Sequence, residues 1–138
     1  MTHYQKTLEI RTNGKSLHKI TSQVANVVAE SGVEVGICNL FLRHTSASLI
    51  IQENADPDVL KDLENFLSKL VPEGNHYIHS TEGPDDMPAH IRSVLTHTSE
   101  QIPIFYGRLM LGTWQGIYLW EHRHHGHSRE LMVHISGN

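Results

Sequence analysis

Apolar and polar residues alternate over residues 4–12 and stop at Asn13-Gly14, the pattern of a strand closed by a turn. Over residues 21–31 the period changes. Val24, Val27 and Val28 share one face and Gly32 follows, which predicts a short helix with a glycine at its C-terminus. Residues 33–43 read as a mostly buried strand, and residues 46–52 as a second, reached through His44-Thr45. Asp56-Pro57 is a helix start, with an aspartate cap and a proline in the first position. Val59, Leu60, Leu63, Phe66, Leu67 and Leu70 then recur at helical spacing, and the segment from Val71 to Asn75 closes that helix. Residues 76–87 carry no period, and Pro88 opens a short helix reaching Leu95. The remainder reads as strands over 101–105, 108–111, 115–123 and 130–136. About seven to nine strands with two or three helices predict a sheet-dominated α+β fold, a two-sheet sandwich with helices packed outside.

At 138 residues and 38% hydrophobic content, a single domain over 1–138 with a real core is expected. A net charge of −4 offers no broad basic surface, so nucleic acid is not an expected partner. No apolar run is long enough to span a bilayer and the N-terminus carries no signal segment, so a soluble cytoplasmic protein is expected. The single cysteine, Cys38, excludes an internal disulfide and sits in an apolar run, where it reads as a small buried hydrophobe.

Twelve histidines change the picture, because imidazole carries metal and proton chemistry near neutral pH. Three segments concentrate it. His44 ends a strand and is followed by the hydroxyls of Thr45, Ser46 and Ser48. Glu82, Asp85 and Asp86 precede His90. His122, His124, His125 and His127 crowd the end of an apolar run beside Glu121, Arg123 and Arg129. Each has a plain structural reading: a strand terminus, partners for a helix dipole, a solvated loop. Each also fits a site in which imidazoles hold a metal and guanidiniums hold an anion. His122 and His124 share a face if their strand continues, with Glu121 and Arg123 opposite. His76, His79, His97 and His134 read as surface residues. Nucleophile elbow, P-loop and dinucleotide-binding fingerprints are all missing.

HTSAS at 44–48, QENADPDV at 52–59, EGPDDMPAHI at 82–91 and GTWQGIYLWEHR at 112–123 together resemble the YjbQ family, also called the secondary thiamine-phosphate synthases. The resemblance covers essentially the whole chain. It implies a β-sandwich of jelly-roll type, a homotrimer and a histidine-held divalent metal. Carried over by motif, the implied ligands are His44, His90 and His122, and the implied catalytic neighbours are Ser46, Asn54, Asp86, Gln115 and Arg123. The implied activity is a transferase reaction, in which hydroxymethylpyrimidine diphosphate and thiazole phosphate join with release of diphosphate, as a main or a secondary role. Histidine ligands favour a zinc-like ion, whereas a diphosphate substrate favours magnesium. The mismatch points to some other small phosphorylated or carboxylated substrate. Two alternatives stand beside this. One is a cupin-like metal-dependent hydrolase or isomerase, from the spacing of Gly116, His122, His124, Glu130 and Gly137. The other is a non-catalytic trimer that binds a small ligand.

Overall fold

The computed structural model describes residues 1–74 and 76–138. Its elements, in order, are strands β1 (Thr2–Arg11) and β2 (Ser16–Lys19), helix α1 (Thr21–Ser31), strands β3 (Val35–Leu42) and β4 (Ala47–Glu53), helices α2 (Pro57–Leu70) and α3 (Asp86–Leu95), and strands β5 (Ser99–Phe105), β6 (Arg108–Leu109), β7 (Gln115–Glu121) and β8 (Ser128–Gly137). The fold is α+β, with eight strands in two antiparallel sheets and three helices among the described residues. One sheet runs β1-β8-β3-β5-β6 and the other β2-β7-β4.

The main core lies between the sheets. Cys38, Leu40 and Leu42 of β3 and Leu131, Val133 and Ile135 of β8 face Ala47 and Leu49 of β4 and Ile117 and Leu119 of β7, all almost fully buried. Val24, Val27 and Val28 of α1 close this core, the face their spacing predicts. The other face of the smaller sheet carries Ile50, Tyr118 and Trp120, and Leu60, Leu63 and Leu67 of α2 cover it. Alternation along β4 and β7 therefore divides labour. Odd residues from Ala47 to Ile51 face the main core, and Ser48 and Ile50 face the helices.

Local signals explain the ends. The Asp56 carboxylate accepts a hydrogen bond from the Asp58 amide at 2.9 Å with Pro57 next, so α2 begins where its cap dictates. Gly32 takes a left-handed φ of 71° and its amide reaches the Ala29 carbonyl, ending α1. Three sequence expectations change. Ser16–Lys19 forms an edge strand on β7, although four residues with one apolar side chain carry too little alternation to predict it. β7 stops at Glu121 rather than continuing to 123, because the chain there leaves the sheet to meet Asp85. α3 also begins two residues before Pro88.

A close approach fixes the loop after β7. A Cβ on Gly14 would lie 2.3 Å from the His124 carbonyl oxygen, and one on Gly126 would lie 2.2 Å from that of Thr12. The β1–β2 turn and residues 122–127 therefore interlock backbone to backbone, and Gly14 sits at a φ of 112°.

Candidate functional site

Three polar clusters lie around the end of β7, and each takes one of the expected histidines. The first is buried. His122 is 1% exposed and lies among the helices with Ser48 and Trp120. Arg92 of α3, also 1% exposed, donates from Nε to His122 Nδ1 at 3.0 Å. That nitrogen must accept, so the ring proton sits on Nε2, which points at Ser48 Oγ 2.8 Å away. Thr96 Oγ1 lies 2.6 Å from Ser48 Oγ and donates to the Arg92 carbonyl at 2.8 Å, which closes the circuit. Arg92 also grips Glu64 of α2 with both terminal nitrogens, at 2.9 and 2.7 Å, and Trp120 donates to the same carboxylate. Burial and the nearby Arg92 charge push the His122 pKa down to about 3. Burial raises the Glu64 carboxyl, but hydrogen bonds from Arg92 and Trp120 outweigh it, and its pKa falls below the usual range. With Nε2 protonated, His122 cannot take a proton from Ser48, so this is no serine nucleophile. With both ring nitrogens occupied, it has no lone pair for a metal within this protomer.

The second cluster is inward-facing. Glu121, fully buried, is held by Arg129 through Nε at 2.8 Å and through Nη2, by Thr12 Oγ1 at 2.7 Å and by the Arg123 amide at 3.1 Å. Burial raises this carboxyl, and the Arg129 and Thr12 hydrogen bonds outweigh it. Arg129 also donates to the Ser46 carbonyl at 3.2 Å and lies 3.4 Å from His44 Nδ1. His44 Nε2 accepts from the Glu130 amide at 2.8 Å. Burial, then the Arg129 charge, lowers the His44 pKa, so the ring is held neutral. Arg129, not the Arg123 expected on the same face, is the side chain that pairs with Glu121.

The third cluster is open on one side. Asp86, the first residue of α3, is 2% exposed. His79 Nε2 lies 2.6 Å and His90 Nε2 3.2 Å from its Oδ2, and Arg123 Nη1 lies 2.8 Å from its Oδ1. The spacing of Asp86 and His90, one helical turn, brings these two together. His90 Nδ1 lies 2.9 Å from the Thr45 carbonyl, which can only accept. The His90 proton is therefore on Nδ1, and in the neutral ring the Nε2 lone pair faces Asp86 Oδ2, acceptor against acceptor. A proton or a metal ion between them resolves the clash. Asp85 secures the far side by accepting from Arg123 Nε at 3.0 Å and from the His124 amide at 2.9 Å, and Arg123 also donates to the Glu82 carbonyl. Burial raises the carboxyls of Asp85 and Asp86, but the bonds from Arg123 and His79 respectively outweigh it, so both lie below the usual range.

Among the described residues, the group of histidine, cysteine and carboxylate side chains able to share one ion is His79, Asp86 and His90, their donor atoms within 4.8 Å of one another. The expected set His44, His90 and His122 does not form such a group within one protomer. His44 and His90 do share the wall of a cavity of about 480 Å³ with Thr45, Ser93, Thr96 and Thr98. Of the expected neighbours, Asp86 and Arg123 are in this cluster. Ser46 contributes its backbone to Arg129 and to the His122 amide. Asn54 and Gln115 lie elsewhere. Asn54 Nδ2 donates to the Thr113 and Gln115 carbonyls, and Gln115 Oε1 accepts from the Gly112 amide. Because Glu53 pairs with Gln115 and Ala47 with Glu121, these two residues sit at the opposite end of β4 and β7, ~20 Å away by strand rise. His124 turns away to Glu73 at 2.7 Å, so the cupin-like His122-x-His124 pair is not formed. His79, which reads from sequence as a surface residue, is the member of the cluster that the sequence pattern does not reveal. Nor does it reveal Glu64 and Arg92.

Comparisons with known proteins agree on one family. A profile described as UPF0047 protein YjbQ-like matches residues 6–138. A UPF0047 protein of Synechocystis sp. is 65% identical over 135 residues, 97% of this chain and 92% of the relative. A solved Clostridium acetobutylicum protein of the YjbQ/UPF0047 family, described as uncharacterized, superimposes with a TM-score of 0.85 at 40% identity, covering 96% of this chain and 98% of that one. A YbjQ-like protein of unknown function from Sulfolobus solfataricus shares the fold, with a TM-score of 0.87, 24% identity and 99% coverage of both chains. These findings correct the expected activity. None of these proteins bears a thiamine-phosphate synthase name, and their own descriptions claim no reaction.

Proposed function

The chain belongs to the YjbQ-like UPF0047 family, and on that footing we propose that it carries a divalent-metal centre of zinc type at His79, Asp86 and His90, open to a small anionic ligand. The observation that carries this is the convergence on Asp86 Oδ2: His90 Nδ1 is committed to the Thr45 carbonyl, and its Nε2 looks at a carboxylate oxygen that His79 also addresses. The donor set is two imidazoles and one carboxylate, which suits zinc, iron or manganese better than magnesium. The outer partners also fit. A backbone carbonyl orients His90, and Arg123 holds the second oxygen of Asp86, the arrangement that usually steadies ligands. Bound there, such an ion would supply Lewis acidity toward an oxyanion or a water molecule.

The protein's own residues favour an anion once the ion is present. Asp85 and Asp86 with Arg123 sum to −1, and a divalent ion makes the cluster +1. The His79 and His90 side chains are 42% and 31% exposed, so positions facing solvent stay free. The cavity beyond His90 is rimmed by the hydroxyls of Thr45 and Thr98, which can hold phosphate or carboxylate oxygens. A small phosphorylated substrate is the ligand this reading favours. The reading also takes the sandwich as jelly-roll in type, in keeping with β8 lying between β1 and β3. It takes the chain as a homotrimer, for which the uncovered outer face of the larger sheet offers support: Val35, Phe41 and Phe105 are 53%, 53% and 45% exposed there. Light scattering tests the trimer.

The deciding experiment is metal analysis of protein purified without nickel resin, followed by zinc titration of the chelated protein. One equivalent bound, and lost in both His79→Ala and His90→Ala, is expected. Retention of full zinc binding by both variants, or failure of the native chain to bind, refutes the centre and leaves His90 as a hydrogen-bond partner of Asp86 and Thr45.

A further inference from the structure

The outer face of the smaller sheet holds a second feature that the metal centre does not use. Between α2 and the outer face of the smaller sheet lies a cavity of about 570 Å³, within the range of small-molecule sites. Its floor is apolar: Ile50 and Trp120 from the sheet, Leu63 and Leu67 from α2. Phe66 stands at its lip, 56% exposed.

The polar groups at the rim are oriented. Gln52 Oε1 accepts from the Glu53 amide at 3.0 Å, and Gln115 Oε1 accepts from the Gly112 amide at 2.8 Å. Both carboxamide oxygens are committed to backbone, so the NH₂ groups are what the two glutamines have left to offer a ligand. His97 Nδ1 lies 2.7 Å from Glu100 Oε1, which places the proton on Nδ1 and leaves Nε2 as an acceptor in the neutral ring. No lysine or arginine lines the cavity, and its one acid is Glu100. A phosphate or carboxylate would therefore meet a carboxylate and no countercharge, which disfavours anions.

We propose that this cavity binds a neutral, flat heteroaromatic molecule, its ring between Phe66 and the apolar floor and its edge acceptors on the Gln52 and Gln115 amides. An aromatic ring fills an apolar slot and can stack on an exposed phenyl group. A heterocycle adds the ring nitrogens or carbonyls that the amide donors require, and an exocyclic N–H can meet His97. The site is chemically opposite to the cationic centre proposed at Asp86, and it stands whether or not that centre binds metal.

The test uses the full chain, ¹⁵N-labelled and treated with chelator, titrated with adenine and with nicotinamide, and with adenosine monophosphate as the charged comparison. Saturable shifts of the Gln52 and Gln115 side-chain amides by a neutral probe are expected. Gln52→Leu and Phe66→Ala, both exposed positions that leave the fold intact, should each weaken binding about tenfold, or ~1.4 kcal/mol. Three results overturn the proposal: no saturable shift at millimolar adenine or nicotinamide, unchanged affinity in both variants, or tighter binding of the monophosphate than of adenine.

Discussion

His90 and His122 belong to the same expected ligand set, and the fold gives them opposite fates. His90 has one nitrogen tied to a carbonyl and the other turned to a carboxylate oxygen that His79 also addresses. His122 has one nitrogen filled by an arginine and the other by a serine, under complete burial. The first ring has spare binding capacity on an open face. The second has spent all of its capacity holding α2, α3, β4 and β7 together. Being a histidine in a histidine-rich motif says little about ligation; what decides it is whether a lone pair is left over.

The comparison can be broken in several ways. The largest effect should come from Arg92→Met, which strands Glu64 in a half-buried position and removes the donor to His122. A loss of about 3–5 kcal/mol in urea unfolding is expected, as for breaking a buried pair, with the zinc stoichiometry of the folded protein unchanged. Stability within 1 kcal/mol of the native chain would mean the buried circuit is ornamental. Next, His90→Ala should reduce zinc affinity by about a hundredfold, ~2.8 kcal/mol, while His122→Gln should leave it within a factor of about three. The reverse ranking would return His122 to the ligand set.

Acidification separates the two rings again. A histidine whose folded pKa is depressed gives stability that is present above its unfolded pKa and lost as pH falls below it. For His122 the loss runs from 6.5 toward about 3, at roughly 1.4 kcal/mol per pH unit. Between pH 6.5 and 5.5, above the ordinary carboxylate range, native protein should lose stability more steeply than His122→Gln. Equal slopes would show that His122 keeps its proton in the fold. The smallest effect is expected from Arg123→Gln, which frees the second oxygen of Asp86. Loss of one supporting partner should weaken zinc about tenfold, measured by competition with a chromophoric chelator.

Helix α1 was legible because its signals are local: three valines on one face and a glycine after them. Helix α2 announced itself through Asp56-Pro57, whose cap works within two residues. β2 was not legible, since its pairing with Tyr118 through Glu121 is a long-range fact that four residues cannot encode by themselves. The site divides the same way. Asp86 and His90 are one helical turn apart, and Arg123 was singled out by its motif. His79 lies in a stretch without periodicity, and only the path of the chain brings it onto Asp86. The role of His122 was hidden for a similar reason, because Arg92 stands thirty residues away in sequence and reads there as an ordinary helix charge.

The interlock at Thr12, Gly14 and Gly126 has a consequence for biosynthesis. Glu121 is enclosed with Thr12, just past the first strand, and Arg129 from the last, partners separated from it by 109 and 8 residues. A nascent chain that has emerged only as far as Glu121 must carry an acid destined for a dry interior without its guanidinium. Setting the loop that bears Arg123 therefore requires β8 docked beside β1, which ties the ground under the proposed metal ligands to the pairing of the first and last strands.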